Sequence, residues 1–302
     1  MLTRRFAFLA LCFLGACETA APPPDAAATD DAFGPDAPLV EDAFAPLAED
    51  APRDAFMRTS SGGSGGLPCT RMGTVSGVPY CVAQVGSVEM KIVEPTASTG
   101  PMRLAVYVHG DGARAYTGDT VVRLQAPWAR GANVLYVAAL APNRCAWWLR
   151  PSLPACDGAI TAADRDDAGE NAAALLAAIE ALRAGWDIRE DVTYLGGSSG
   201  GSVFLQGSFI PRYGDRIRGV VALGCGGDAP WAPFAWSVTP TSIGPTALFT
   251  NYGDADMLVP DIERGTAAYE ALGFPVTTNV LPGVGHCMFD HIGWVRDTWQ
   301  AH

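Results

Sequence analysis

The chain is short of positive charge, of histidine and of the patterns that hold metals or phosphates. Its 302 residues carry 20 Lys and Arg against 32 Asp and Glu, a formal net charge of −12. That deficit excludes the basic face that nucleic-acid binding requires. Only four histidines are present, and the eight cysteines include no Cys-x-x-Cys pair, so a zinc site is not expected. No glycine-rich stretch ends in the Lys-Ser/Thr of a phosphate-binding loop. Past the N-terminal leader, no apolar run suggests a membrane span. Neither a metal nor a cofactor is expected.

The leader itself is legible. Arg4 and Arg5 precede an apolar stretch from Phe6 to Leu14 and the small residues Gly15 and Ala16, the pattern of a secretory signal and too short for a spanning helix. Leu14-Gly15-Ala16-Cys17 resembles the lipobox of bacterial lipoproteins. The resemblance implies cleavage after residue 16 and lipid attachment to Cys17. Several acyl chains on one cysteine hold a protein stably at a membrane, and Glu18 in the next position favours the outer membrane. The alternative is an ordinary signal peptide with a chance cysteine. Residues 17–66 then read as a disordered tether rich in Ala, Pro and Asp, in which Asp-Ala-Phe recurs at 31–33, 42–44 and 54–56. Ten acidic residues against two arginines between 18 and 60 place −8 of the net charge there, and mutual repulsion with little apolar surface leaves nothing to offset chain entropy. Its end, Ser60-Ser61-Gly62-Gly63-Ser64-Gly65-Gly66, reads as a flexible linker.

Residues 67–302 are long enough for one sizeable core. Six cysteines fall in it: Cys69, Cys81, Cys145, Cys156, Cys225 and Cys287. An even number in an exported chain points to disulfides, with 15 connectivities open; pairing by proximity suggests Cys69–Cys81 and Cys145–Cys156, leaving Cys225–Cys287. Apolar runs at 104–108, 134–138, 192–196, 219–223, 246–250 and 276–281 read as strands. Helices are expected at about 166–184, where Leu175, Ile179 and Leu182 share a face, at 260–272 and at 290–300. An edge hairpin is expected over 70–95. Apolar strands alternating with helices imply an α/β domain with a mostly parallel sheet covered on both faces.

Three stretches carry chemistry. Val192 to Leu195 leads into Gly196-Gly197-Ser198-Ser199-Gly200-Gly201, where Gly-x-Ser-x-Gly between strand and helix marks a nucleophile elbow. The pattern fits two frames. Ser198 is taken as the nucleophile, because that frame leaves Gly200-Gly201 to open the helix tightly against the strand, and the N–H of Ser199 then faces the oxyanion. Gly253-Asp254-Ala255-Asp256-Met257-Leu258-Val259-Pro260 follows one later strand, and Gly285-His286 follows another. A parallel sheet gathers strand C-termini at one edge, so serine, carboxylate and imidazole can meet there.

With these motifs the domain resembles the α/β-hydrolase superfamily over about 100–302. The order Ser…Asp…His is that superfamily's order. The resemblance assigns Asp256 rather than Asp254 as the acid and His286 as the base, and leaves His291 and His302 without a catalytic part. His109-Gly110-Asp111-Gly112 resembles the oxyanion turn, implying a shaping role for His109 and a backbone donor at Gly110 or Asp111, although Asp111 stands where glycine is usual. Asn143 to Arg150, with Cys145, Trp147 and Trp148, together with Asp167 and its helix, loosely resembles secreted polyhydroxyalkanoate depolymerases and feruloyl or acetylxylan esterases. Trp147, Trp148 and Trp231, with Phe234 and Trp236, become candidates for substrate contact, against the alternative of core packing. The function implied is a monomeric, lipid-anchored serine hydrolase of carboxylic esters, small or polymeric. The alternatives are a peptidase or amidase with the same triad, and a non-catalytic envelope-binding module on the same fold.

Overall fold

Strand-forming runs rich in Val, Ala and Leu assemble into one sheet in the computed structural model, which describes residues 60–153, 160–231 and 246–302. Its nine strands are β1 (Arg71–Val75), β2 (Val78–Val85), β3 (Val88–Val93), β4 (Met102–Val108), β5 (Val134–Leu140), β6 (Ile188–Ser198), β7 (Gly219–Gly224), β8 (Ala247–Gly253) and β9 (Val276–Leu281). They lie in the order β1-β2-β3-β5-β4-β6-β7-β8-β9. The first three form an antiparallel meander that joins β5 antiparallel, one strand more than the expected hairpin. From β5 through β4 and β6 to β9 every pair is parallel. This is the α/β-hydrolase architecture.

Alternation along the strands sorts the core into two layers. Leu104, Val106, Val108 and Leu195 meet Leu175, Ile179 and Leu182 of helix α2 (Glu170–Gly185) on one face. Ala105, Tyr107 and Tyr194 meet Val121, Val122 and Ala126 of α1 (Thr120–Gly131) on the other, with Val295 and Trp299 of α5 (His291–Ala301). Between them in sequence come α3 (Gly200–Phe204), directly after β6, and α4 (Val259–Ala271). No helix among the described residues is long and apolar enough to cross a membrane.

The Gly/Ser stretch is not a free linker. Ser61 N–H donates to Ile188 O at 2.7 Å and Gly66 N–H to Gly185 O at 2.7 Å, while the Ser61 hydroxyl bridges Trp186 O and Ile188 N–H. A β-carbon on Gly63 would collide with the carbonyls of Arg183, Ala184 and Trp186. Glycine is there for close approach to the end of α2, so residues 60–66 pack against the folded domain. The disulfides Cys69–Cys81 and Cys225–Cys287 are formed, and Cys145 is also disulfide-bonded. Cys17, Cys156, Phe234 and Trp236 lie outside the described residues.

Candidate active site

The C-terminal ends of β4, β6, β7, β8 and β9 bring together a serine, a histidine and an aspartate. The serine is Ser199. Its hydroxyl donates to His286 Nε2 at 2.9 Å, and His286 Nδ1–H donates to Asp256 Oδ1 and Oδ2 at 2.8 and 2.9 Å. Asp256 and His286 thus stand together as the motifs suggest, whereas the choice of Ser198 is corrected. Strand parity explains the shift. Tyr194, Gly196 and Ser198 point to the α5 face of β6, so the Ser198 hydroxyl goes under the sheet edge and shares a 2.6 Å hydrogen bond with buried Tyr107. Burial pushes the Tyr107 phenol well up, so it stays a neutral hydroxyl.

Ser199 occupies the sharp turn between β6 and α3 with φ 51° and ψ −126°, a region costly for any residue with a side chain. The glycines two positions to either side make the turn possible. A β-carbon on Gly197 would press on the backbone of Gly201 and Ser202, and one on Gly201 on the carbonyls of Val108 and His109. The Ser199 N–H donates to Gly224 O at 2.9 Å, so it is not the oxyanion donor. Gly200, the first residue of α3, has an N–H with no intrahelical acceptor by position.

The facing turn follows β4. His109 is 1% exposed, accepts from Ala141 N–H at 3.0 Å through Nε2 and lies 2.7 Å from Gly110 O through Nδ1. Burial pulls its pKa down to about 4, so it is a neutral brace that shapes the turn. The turn's own backbone bonds use the N–H groups of Gly112 and Ala113, leaving those of Gly110 and Asp111. Gly110 fits tightly, since a β-carbon there would crowd Ser198 O and Ser199 Cβ.

Asp256 is 5% exposed, and its Oδ1 also accepts from Leu258 N–H at 2.9 Å. Asp254 stands outside this chain of hydrogen bonds. It accepts from Gly283 N–H at 2.6 Å and so ties the acid loop to the histidine loop. Gly253 has no room for a β-carbon against Val284. The Cys225–Cys287 bridge fastens the histidine loop to the end of β7. His291 opens α5, half-buried, with its pKa lowered by burial, and His302 rests on the Phe249 ring.

Beside Ser199 lies a cavity of about 330 Å³, lined by Asp111, Trp148, Gly200, Val203, Asp228 and Leu258 among others. Of the three candidate tryptophans only Trp148 lines it. Trp147 is fully buried and stacked on Phe204 at 5.2 Å. Trp231 is 2% exposed and donates to Asp228 Oδ2. Both pack the interior, which corrects their assignment to substrate contact. Two residues the motifs did not flag set Trp148 in place. Asn143 accepts from Cys145 and Ala146 N–H, and Asn171 donates to the carbonyls of Trp147 and Leu149. Asp166, not Asp167, serves the helix: it accepts from Gly169, Glu170 and Asn171 N–H at the start of α2, while Asp167 pairs with Arg165 at the surface. An asparagine or aspartate just ahead of a tight loop or helix is the sequence signal for Asn143 and Asp166; Asn171, inside the first turn of α2, carries none.

No family model and no curated protein sequence matches the chain. Solved structures do. A thermostable esterase is 17% identical, with a TM-score of 0.51 over 72% of this chain and 59% of that one. An esterase of Pyrobaculum calidifontis is 12% identical over 78% and 86%, with a TM-score of 0.49. A poly(3-hydroxybutyrate) depolymerase from Bordetella parapertussis is 18% identical over 74% and 86%, with a TM-score of 0.44. At these identities the likeness is one of fold.

Proposed function

We propose that this α/β-hydrolase-fold chain is a serine hydrolase of carboxylic esters with Ser199 as nucleophile. The observation that carries the proposal is the continuous chain from the Ser199 hydroxyl through His286 to the buried Asp256. A serine hydroxyl is a weak nucleophile unless a base accepts its proton, and the imidazole needs a carboxylate to hold its tautomer and offset its charge. Ser199 Oγ attacks the acyl carbon as its proton passes to His286 Nε2. The carbonyl oxygen gains negative charge, which the Gly200 N–H and one N–H of the 110–111 turn stabilise. Collapse breaks the ester C–O bond, and the leaving alkoxide takes the proton from Nε2. Water then attacks the acyl-enzyme by the same route, releasing the acid and restoring Ser199. The similar thermostable esterase is in keeping with this chemistry.

The test is fluorophosphonate labelling of the full domain alongside Ser198→Ala and Ser199→Ala. Labelling lost only in Ser199→Ala supports the proposal. Labelling lost only in Ser198→Ala overturns the frame, and an unlabelled, folded wild type overturns the activity. A matched ester and amide pair decides which carbonyl class is turned over. We further propose export and lipid anchoring through Cys17. Radiolabelled palmitate incorporated by the full chain and lost in Cys17→Ser supports it; equal incorporation or none overturns it.

A further inference from the structure

We infer that Asp111 selects substrates that carry a positive charge close to the scissile carbonyl. The inference rests on Ser199 being the nucleophile and starts from the charges around the cavity. Asp111, Arg165, Asp228 and Asp261 line it. Asp228 and Asp261 both accept from Arg264, at 2.8 and 2.6 Å, and Arg165 pairs with Asp167 at 2.7 Å. Arg264 offsets only one of its two acids, and Asp111 is the lining carboxylate with no Lys or Arg partner among the described residues. Its hydrogen-bond donor among the described residues is the indole N–H of Trp148, 3.0 Å from both oxygens. One neutral N–H fills only part of the roughly four acceptor sites of a carboxylate.

The position of this unneutralised charge gives it consequence. Asp111 belongs to the turn proposed to hold the oxyanion, and its Oδ1 lies where a β-carbon on Gly200, the other proposed donor, would stand. A negative group beside a site where negative charge develops opposes the transition state. Asp111 as a whole is exposed to solvent, yet desolvation of its carboxyl raises the pKa, against which the Trp148 hydrogen bond and then nearby His286 act. A neutral substrate leaves the repulsion in place and an anionic one adds to it. A cationic group reaching Asp111 removes it and gains an ion pair inside a partly enclosed cavity, where charge is screened less than in bulk water. The substrate class is therefore an ester with an ammonium group a few bonds from the carbonyl, on either its acyl or its alcohol side.

Two fluorophosphonates, alike except for a trimethylammonio or a tert-butyl terminus, test this in a single covalent event. The tetrahedral adduct resembles the oxyanion intermediate, and the two tails have the same shape. At low salt the cationic reagent should inactivate the wild type about tenfold faster, with the ratio falling at high salt. Asp111→Asn and Asp111→Ser should bring the ratio to about one, whereas Asp297→Asn, which removes a charge far from the cavity, should keep it. Equal rates in the wild type overturn the inference whether or not either Asp111 variant folds, as does a ratio that survives in a folded Asp111→Asn. Failure of both reagents to label would instead refute the proposed hydrolase.

Discussion

The carboxylate of Asp111 occupies the space that a β-carbon on Gly200 would need. The oxyanion turn and the start of α3 are thus fitted to each other through an acid and a glycine 89 positions apart. Gly200→Ala must displace Asp111, Trp148 or the amide that faces the oxyanion. Rates should fall by about 10²-fold, the usual loss when one oxyanion donor is misplaced. A double-mutant cycle checks the cause: with Asp111→Ala already present, adding Gly200→Ala should cost much less in kcat/KM than it does alone.

The two adjacent tryptophans should part company on substitution. Trp147→Ala empties a fully buried site in the core and should cost about 3–5 kcal/mol of stability. Trp148→Ala removes a cavity wall and should leave the melting temperature nearly unchanged while altering KM. Thermal melts and ester kinetics on both variants decide it.

Buried His109 makes a prediction about acid. Its native pKa, near 4, lies below the ordinary 6.5. Above pH 6.5 both folded and unfolded chains leave it neutral and no stability is lost. As pH falls from 6.5 to about 4, the unfolded chain binds a proton that the native one refuses, and stability drops by about 3 kcal/mol in all. Below that the contribution is flat. Denaturant midpoints from pH 7.5 to 4 should fall more steeply for the wild type than for His109→Gln, even though the variant starts less stable.

The Cys225–Cys287 bridge sits one residue from His286, the base of the proposed reaction. Replacing both cysteines by alanine should cost about 2–4 kcal/mol of stability. It should also lower kcat more than it raises KM, because the imidazole loses its fixed distance to Ser199. Steady-state kinetics well below the melting transition separate the two effects.

The sequence made the sheet and the meeting of Asp256 with His286 legible because each rests on local chemistry: a short apolar run, then glycine near a polar side chain. The frame of the elbow was harder to read. Two overlapping Gly-x-Ser-x-Gly patterns look alike as text, and the difference is parity, since Ser198 continues the face of Tyr194 and Gly196 while Ser199 leaves the strand. Helix α1 escaped notice because Pro127 stands inside it and Val121-Val122 reads as strand. The Gly/Ser run at 60–66 has the composition of a linker, and only the carbonyls at the end of α2, over 100 residues away, give its glycines a packing reason. Trp147 and Trp148 are neighbours with opposite surroundings, which no composition reveals.

That docked run also lies at a definite distance from Ser199. Residues 60–66 meet the chain at Gly185 to Ile188, where β6 begins, and Ser199 stands where β6 ends, 11 strand residues later. Because a bulge lets Ile188 to Gly197 run beside only Met102 to Val108, at about 3.3 Å per residue the two lie roughly 20 Å apart, at opposite ends of the strand. Substitutions in residues 60–66 therefore act on the domain a full strand's length from Ser199, and their effects should register in stability before they register in turnover.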